Sequence, residues 1–271
     1  MPITGACMVP HPPIILPEVG RGEEKKISKT TESFQRVAEF VKELAPETII
    51  ISTPHSVMYR DYFHISPGDG ARGDMVLFRA PEVRFDVQYD RELVGKICDL
   101  ADKAGFPAGC EGEREKELDH GVMVPLYFIN KEYRDYKLVR IGLSGLSLED
   151  HFKMGELIKK ATDETGRRVF YVASGDLSHK MKKEGPYGFD PAGPVYDERI
   201  MDVMGSGDFE KLKDFDLSFL EPAAECEHRS FCMMAGALKG SEVAPERLSH
   251  EDVFGVGYGV CKYEVKSKKT D

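Results

Sequence analysis

Residues able to do chemistry fall at a few defined places in the chain. Pro222-Ala-Ala-Glu-Cys-Glu-His-Arg-Ser-Phe231 sets two carboxylates, a thiol, an imidazole and a guanidinium in front of an apolar run with helical spacing. His11 and His55 each follow an apolar, strand-like run and a proline. Two imidazoles at neighbouring strand ends need a third ligand, and Glu225 or Glu227 is the natural candidate. Two histidines and a carboxylate with open positions form the set used by non-haem Fe(II) oxygenases, although zinc, manganese or cobalt accept the same donors. His179 ends Gly175-Asp-Leu-Ser-His179, a polar segment that is flexible at its start and follows a buried run. A histidine placed there can act as a general acid or base near neutral pH. His120, between Asp119 and Gly121, can act likewise or orient a substrate, although a simple turn is the plainer reading. His64, His151 and His250 show no pattern and read as surface or loop residues, and His228 as a polar residue at a helix start.

Strand and helix signals alternate in a way that would position these groups. Thr4–Val9, Thr48–Thr53, Lys137–Leu143 and Arg168–Ala173 are apolar runs without polar alternation, the mark of strands covered on both faces. Helical spacing predicts helices over Ser28–Ala45, from Asp90 to about Ala104, from about Leu148 to Glu164, and after Glu227. Val83, Phe85, Val87 and Tyr89 alternate as a half-buried strand, Pro67–Gly73 reads as a loop, and Val253–Tyr263 reads as a closing strand. The expectation is an α/β fold in three α/β/α layers around a central mixed, largely parallel sheet. In such sheets functional groups collect beyond the C-terminal strand ends, where His11, His55 and His179 stand.

Composition narrows the function classes. The 271 residues, 41% hydrophobic and 31% charged, suit one globular domain over 1–271. A net charge of −10 argues against a general nucleic-acid binder. No apolar run reaches the roughly 18 to 20 residues of a membrane span, and no signal peptide is evident, so a cytoplasmic location is expected. The six cysteines contain no C-x-x-C pair and read as buried apolar residues of a reducing compartment. A homo-oligomer is expected on base rates.

Five blocks then carry a resemblance. Pro10-His11-Pro12, Thr53-Pro-His55-Ser56, Asp119-His120-Gly121-Val-Met-Val-Pro125-Leu126, Gly175-Asp-Leu-Ser-His179 and Glu227-His-Arg-Ser-Phe231 together resemble the class III extradiol ring-cleavage dioxygenases, the LigB-like family. The subgroup resembled most is that of Memo and the dioxygenase-like half of AmmeMemoRadiSam proteins, here expected without the AMMECR-type domain. The resemblance implies that His11, His55 and Glu227 hold the metal, with Glu225 as the rival carboxylate. It implies His179 as the catalytic acid/base and His120 as the second active-site histidine. The implied cofactor is Fe(II), with zinc, manganese or copper as alternatives, and the implied partners are a small aromatic diol and dioxygen. Arg229 would steady an anion or pair with Glu227, and Cys226 would be inert or metal-binding. Two other readings stand beside this one: a Memo-like metal- or peptide-binding protein without ring cleavage, and a metal-dependent hydrolase on the same ligands.

Overall fold

The run Thr48–Thr53, β-branched at every residue but Ser52, is buried throughout, as is Val169–Ser174, and these two strands lie side by side at the heart of the structure. The computed structural model describes residues 2–266. In chain order the elements are β1 (Ile3–Val9), α1 (Pro17–Gly20), α2 (Ser28–Leu44), β2 (Thr48–Thr53), β3 (Phe63–His64) and β4 (Gly70–Met75). Then come β5 (Ala80–Gln88), α3 (Arg91–Ala104), β6 (Ala108–Gly109), α4 (His120–Glu132), β7 (Lys137–Gly142) and α5 (Leu148–Thr165). The chain continues through β8 (Val169–Ser174), α6 (Ala192–Ser206), α7 (Leu217–Ala223), α8 (His228–Leu238), β9 (Glu242–Glu251) and β10 (Tyr258–Lys266).

Six strands form the central sheet in the order β7-β2-β8-β1-β10-β9. The first four are parallel, and β10 and β9 join antiparallel, so the sheet is mixed and mostly parallel as expected. Period-2 alternation splits each strand between two cores. Ile50, Val139, Tyr171 and Ala173 face α3, α5, α6 and α8. Ile49, Ile51, Phe170 and Val172 face α2 and α4, where Phe34 stacks on Phe128 at 4.5 Å. Helices therefore cover both faces. No helix among the described residues is long and apolar enough to cross a membrane.

Parallel alignment brings the C-terminal ends of β1, β2 and β8 to one edge of three adjacent strands. His11, His55 and His179 follow those ends directly. Local signals explain the flanking helices: Asp90 caps α3 by accepting from Leu93 N, and Ser147 with Asp150 forms a capping box on α5.

Several expectations need correction. Asp119-His120-Gly121 is not a simple turn: Asp119 accepts from Val122 N, and His120 opens α4. Part of Pro67–Gly73 is the strand β4, paired antiparallel with β5. The closing segment is two strands, because Glu242–Glu251 forms a half-exposed edge strand with no apolar alternation to announce it. His64 and His151 are fully buried rather than on the surface. His151 is held between Ser144 N and Ser147 O, and His64 between Glu111 O and Glu113.

Candidate metal centre

His11 is anchored at two points. Its backbone N–H donates to Asp176 Oδ1 at 2.8 Å, and its Nδ1 lies 3.1 Å from Ser174 Oγ. Ser174 spends its one hydroxyl proton on Gly121 O at 2.5 Å, so its oxygen must accept from His11 Nδ1–H. That fixes the tautomer and leaves the His11 Nε2 lone pair free, as in a metal-ligating histidine whose other ring nitrogen donates to a protein oxygen.

The free Nε2 meets two other donors. His55 Nε2 lies 3.0 Å away and Cys226 Sγ 3.8 Å away. His11, His55 and Cys226 place one ligand atom each within 4.8 Å of the others, and they are the His/Cys/Asp/Glu group of this kind among the described residues. His55 is placed by Thr53, whose Oγ1 accepts from His55 N and donates to Asp119 Oδ1. Cys226 Sγ accepts from Asp176 N at 3.2 Å. The turn carrying Cys226 crosses the end of β8 so closely that a Cβ on Gly175 would sit 2.1 Å from Glu227 Cβ. Gly175 thus supplies room rather than flexibility.

The other two histidines surround this cluster. His120 lies 4.0 Å from His55 and 5.2 Å from His11, ring centre to ring centre. His179 Nδ1 donates to Ala224 O at 2.7 Å, which leaves its Nε2 as the ring nitrogen able to take a proton. All four histidines line an open cavity of about 770 Å³ whose walls include Phe78, Tyr187, Phe254 and Tyr258. A larger hollow of about 940 Å³, between Glu82–Gln88 and Tyr127–Lys137, holds none of them.

Burial sets the electrostatics. It pushes His11 well below the ordinary imidazole range, aided by His55, His120 and His179. Burial also lowers His55, against the pull of Asp119, and lowers His179; His120 falls to about 4. Four neutral imidazoles near pH 7 offer lone pairs rather than protons. Burial pushes the Cys226 thiol well up, and Asp176, Glu227 and Glu225 add to it. It also raises Asp176 to about 7.

The two carboxylates take other places. Glu225 accepts from Glu227 N and His228 N and so serves the start of α8. Glu227 does not join the donor group; it is fully buried, and neither carboxylate oxygen has a hydrogen-bond partner. Burial, then Asp176 and Glu225, hold its carboxyl well above the usual range. Arg229 makes no ion pair with it among the described residues, and its own Nε is unpartnered. Cys226, expected to be inert or metal-binding, lies with His11 and His55, and Asp176, which no sequence pattern marks, anchors His11.

The donor set fits a divalent transition metal. Two imidazole nitrogens, one of fixed tautomer, and a sulfur converge on one point, and an unpartnered carboxylate stands next along the chain.

Comparison with known proteins identifies the family. Protein CA_C1420 of Clostridium acetobutylicum is 41% identical over 277 residues, covering 100% of this chain and 59% of that protein. The chain thus spans about three-fifths of that relative. The 3,4-dihydroxyphenylacetate 2,3-dioxygenase of Escherichia coli is 26% identical over 206 residues, covering 74% of this chain and 69% of that enzyme. The crystal structure of uncharacterized protein JW3007 from Escherichia coli K12 shares the fold, with a TM-score of 0.63 at 16% identity over 96% of this chain and 99% of that one. Residues 5–261 match the family described as the catalytic LigB subunit of aromatic ring-opening dioxygenase, and the chain belongs to that family.

Proposed function

We propose that the chain is a metal-dependent extradiol-type dioxygenase acting on a small aromatic diol, with Fe(II) as its ion. Convergence of His11, His55 and Cys226 beside His120 and His179 carries the reading. His11 and His55 are the imidazole ligands, and Cys226 takes the third place that the resemblance gives to Glu227. Bound there, Fe(II) supplies the one-electron chemistry by which dioxygen reacts with a closed-shell diol. His179, its Nδ1 held by Ala224 O, takes the diol proton at Nε2. His120 orients the substrate from the N-terminus of α4, and Phe78 packs against it at 5.4 Å. The aromatic walls offer the ring apolar contact.

One observation favours a second reading. A thiolate matches a carboxylate in charge but is itself oxidisable, and sulfur suits copper(I) and zinc. Cys226 in the donor group therefore supports a Memo-like protein that binds metal without ring cleavage.

One experiment decides between them. The chain is loaded anaerobically with Fe(II), Mn(II), zinc or copper, and bound metal is measured. Oxygen uptake is then followed with catechol, protocatechuate, dihydroxyphenylalanine and 3,4-dihydroxyphenylacetate, the last because of the Escherichia coli relative's name. The dioxygenase reading expects uptake with at least one diol on Fe(II), reduced about 100-fold or more in His179→Ala. Metal should be lost in Cys226→Ser and kept in Glu227→Gln; the reverse would return the third position to Glu227. No uptake with any diol, together with tight copper or zinc, would establish the second reading. A cytoplasmic homo-oligomer belongs to the same proposal, and sedimentation of the purified chain checks the assembly.

A further inference from the structure

Away from the histidines, two cysteines that are 12 residues apart in sequence meet in space. Cys98 Sγ on α3 lies 3.3 Å from Cys110 Sγ, just after β6. Both are free and half-buried, so a small reagent can reach them. Their approach is built by regular structure. Gly105, in the left-handed region at φ 59°, ends α3 and reverses the chain. Phe106 stacks on Phe63 at 5.6 Å, and β6 pairs with β3, which brings Cys110 back alongside α3.

We propose that Cys98 and Cys110 form a reversible disulfide by exchange with a small-molecule disulfide. Sulfurs at 3.3 Å need a side-chain rotation, not a refolding, to reach a bonded separation near 2 Å. The thiolate of Cys110 attacks one sulfur of the small disulfide and expels a thiolate. The thiolate of Cys98 then attacks the Cys110 sulfur of the mixed disulfide and expels the second. Two protein thiols lose two protons and two electrons, and one small disulfide is reduced to two thiols. Either sulfur can donate to the other, so the two cysteines can exchange these roles.

The bond would sit at the root of a strap that reaches the site. From Cys110 the chain runs to Asp119, tied down by the hydroxyl of Tyr59 on Gly112 O, by His64 on Glu111 O, and by Arg140 on Glu115 O and Glu117 O. Asp119 then caps the helix that begins at His120. The disulfide joins this strap to α3 without touching a metal ligand, and the proposal stands whatever the site does.

The test equilibrates the purified chain in buffers of reduced and oxidised glutathione, traps free thiols by alkylation and maps the peptides. The expected result is a fall from six free thiols to four, with a Cys98–Cys110 cross-linked peptide that reduced glutathione reverses. Neither Cys98→Ser nor Cys110→Ser should form the cross-link, the remaining cysteine of the pair staying a thiol or a mixed disulfide with glutathione, and Cys226→Ser should cross-link as wild type does. Circular dichroism checks that the variants fold; should one not fold, the wild-type map decides alone. Six thiols retained in oxidised glutathione, or a cross-link elsewhere, would overturn the proposal.

Discussion

His151 shows how much one buried side chain can govern. It has no exposed surface, accepts from Ser144 N through Nε2 and donates from Nδ1 to Ser147 O. Burial lowers it from 6.5 to about 4. A group whose folded value is depressed in this way is neutral in the fold at pH 6, whereas the unfolded chain takes up a proton there. His151's contribution to stability is therefore full above about pH 6.5 and is lost as pH falls towards 4, by up to about 3 kcal/mol. Urea midpoints of wild type and His151→Gln, compared between pH 7 and 4, should differ by this contribution; an unchanged pH dependence in the variant would clear His151 of the role. Nothing in the sequence announces this residue, since a lone histidine in a helix looks the same buried or exposed. Cys226 and Glu227 pose the converse problem. Both are visible as chemistry-bearing residues, but they lie in an irregular turn where no period says which one faces the histidines. His11, His55 and His179 stood out as candidates because prolines, glycines and apolar runs mark the strand ends beside them, whereas the helix start at His120 read as a simple turn.

At the level of elements, α8 must lie tightly on α5 to hold the Cys226 turn in place. Two glycines make the close approach: a Cβ on Gly155 would meet Met233 O at 2.0 Å, and one on Gly236 would meet Phe152 O at 2.0 Å. Backbone cannot yield as a side chain can, so Gly155→Ala should cost about 1–3 kcal/mol, read as a lower urea midpoint. It should also lower bound metal, because α8 starts just after Cys226 and Glu227; full metal retention would show that the turn is held by other contacts. Most elements were legible, because β2, β8, α2, α3 and α5 carry strong periodicity or caps. Those missed share a physical reason. β9 is half exposed, and β4 belongs to a two-stranded sheet whose burial is partial, so neither needs an apolar pattern.

For the whole molecule, strand order ties distant parts of the chain together. β8 sits between β2 and β1, and β1 between β8 and β10, so strands from both ends of the chain share one sheet. We propose a single domain and expect one unfolding transition in urea, coincident by far-UV circular dichroism and by tyrosine fluorescence, since the chain has 11 tyrosines and no tryptophan. Two separated transitions would show two units instead. The layered α/β class was legible from alternating strands and helices, but the order was not, because residues paired in the sheet carry no local mark of their partners. The same interleaving sets a timetable for the newborn protein. Cys226 comes 215 residues after His11, and β1 must wait for β8 and β10 before both its edges are paired. Closing contacts over such separations is slow. On a ribosome, then, the first histidine emerges long before the thiol, and any metal would be captured only after almost the whole chain has been synthesised.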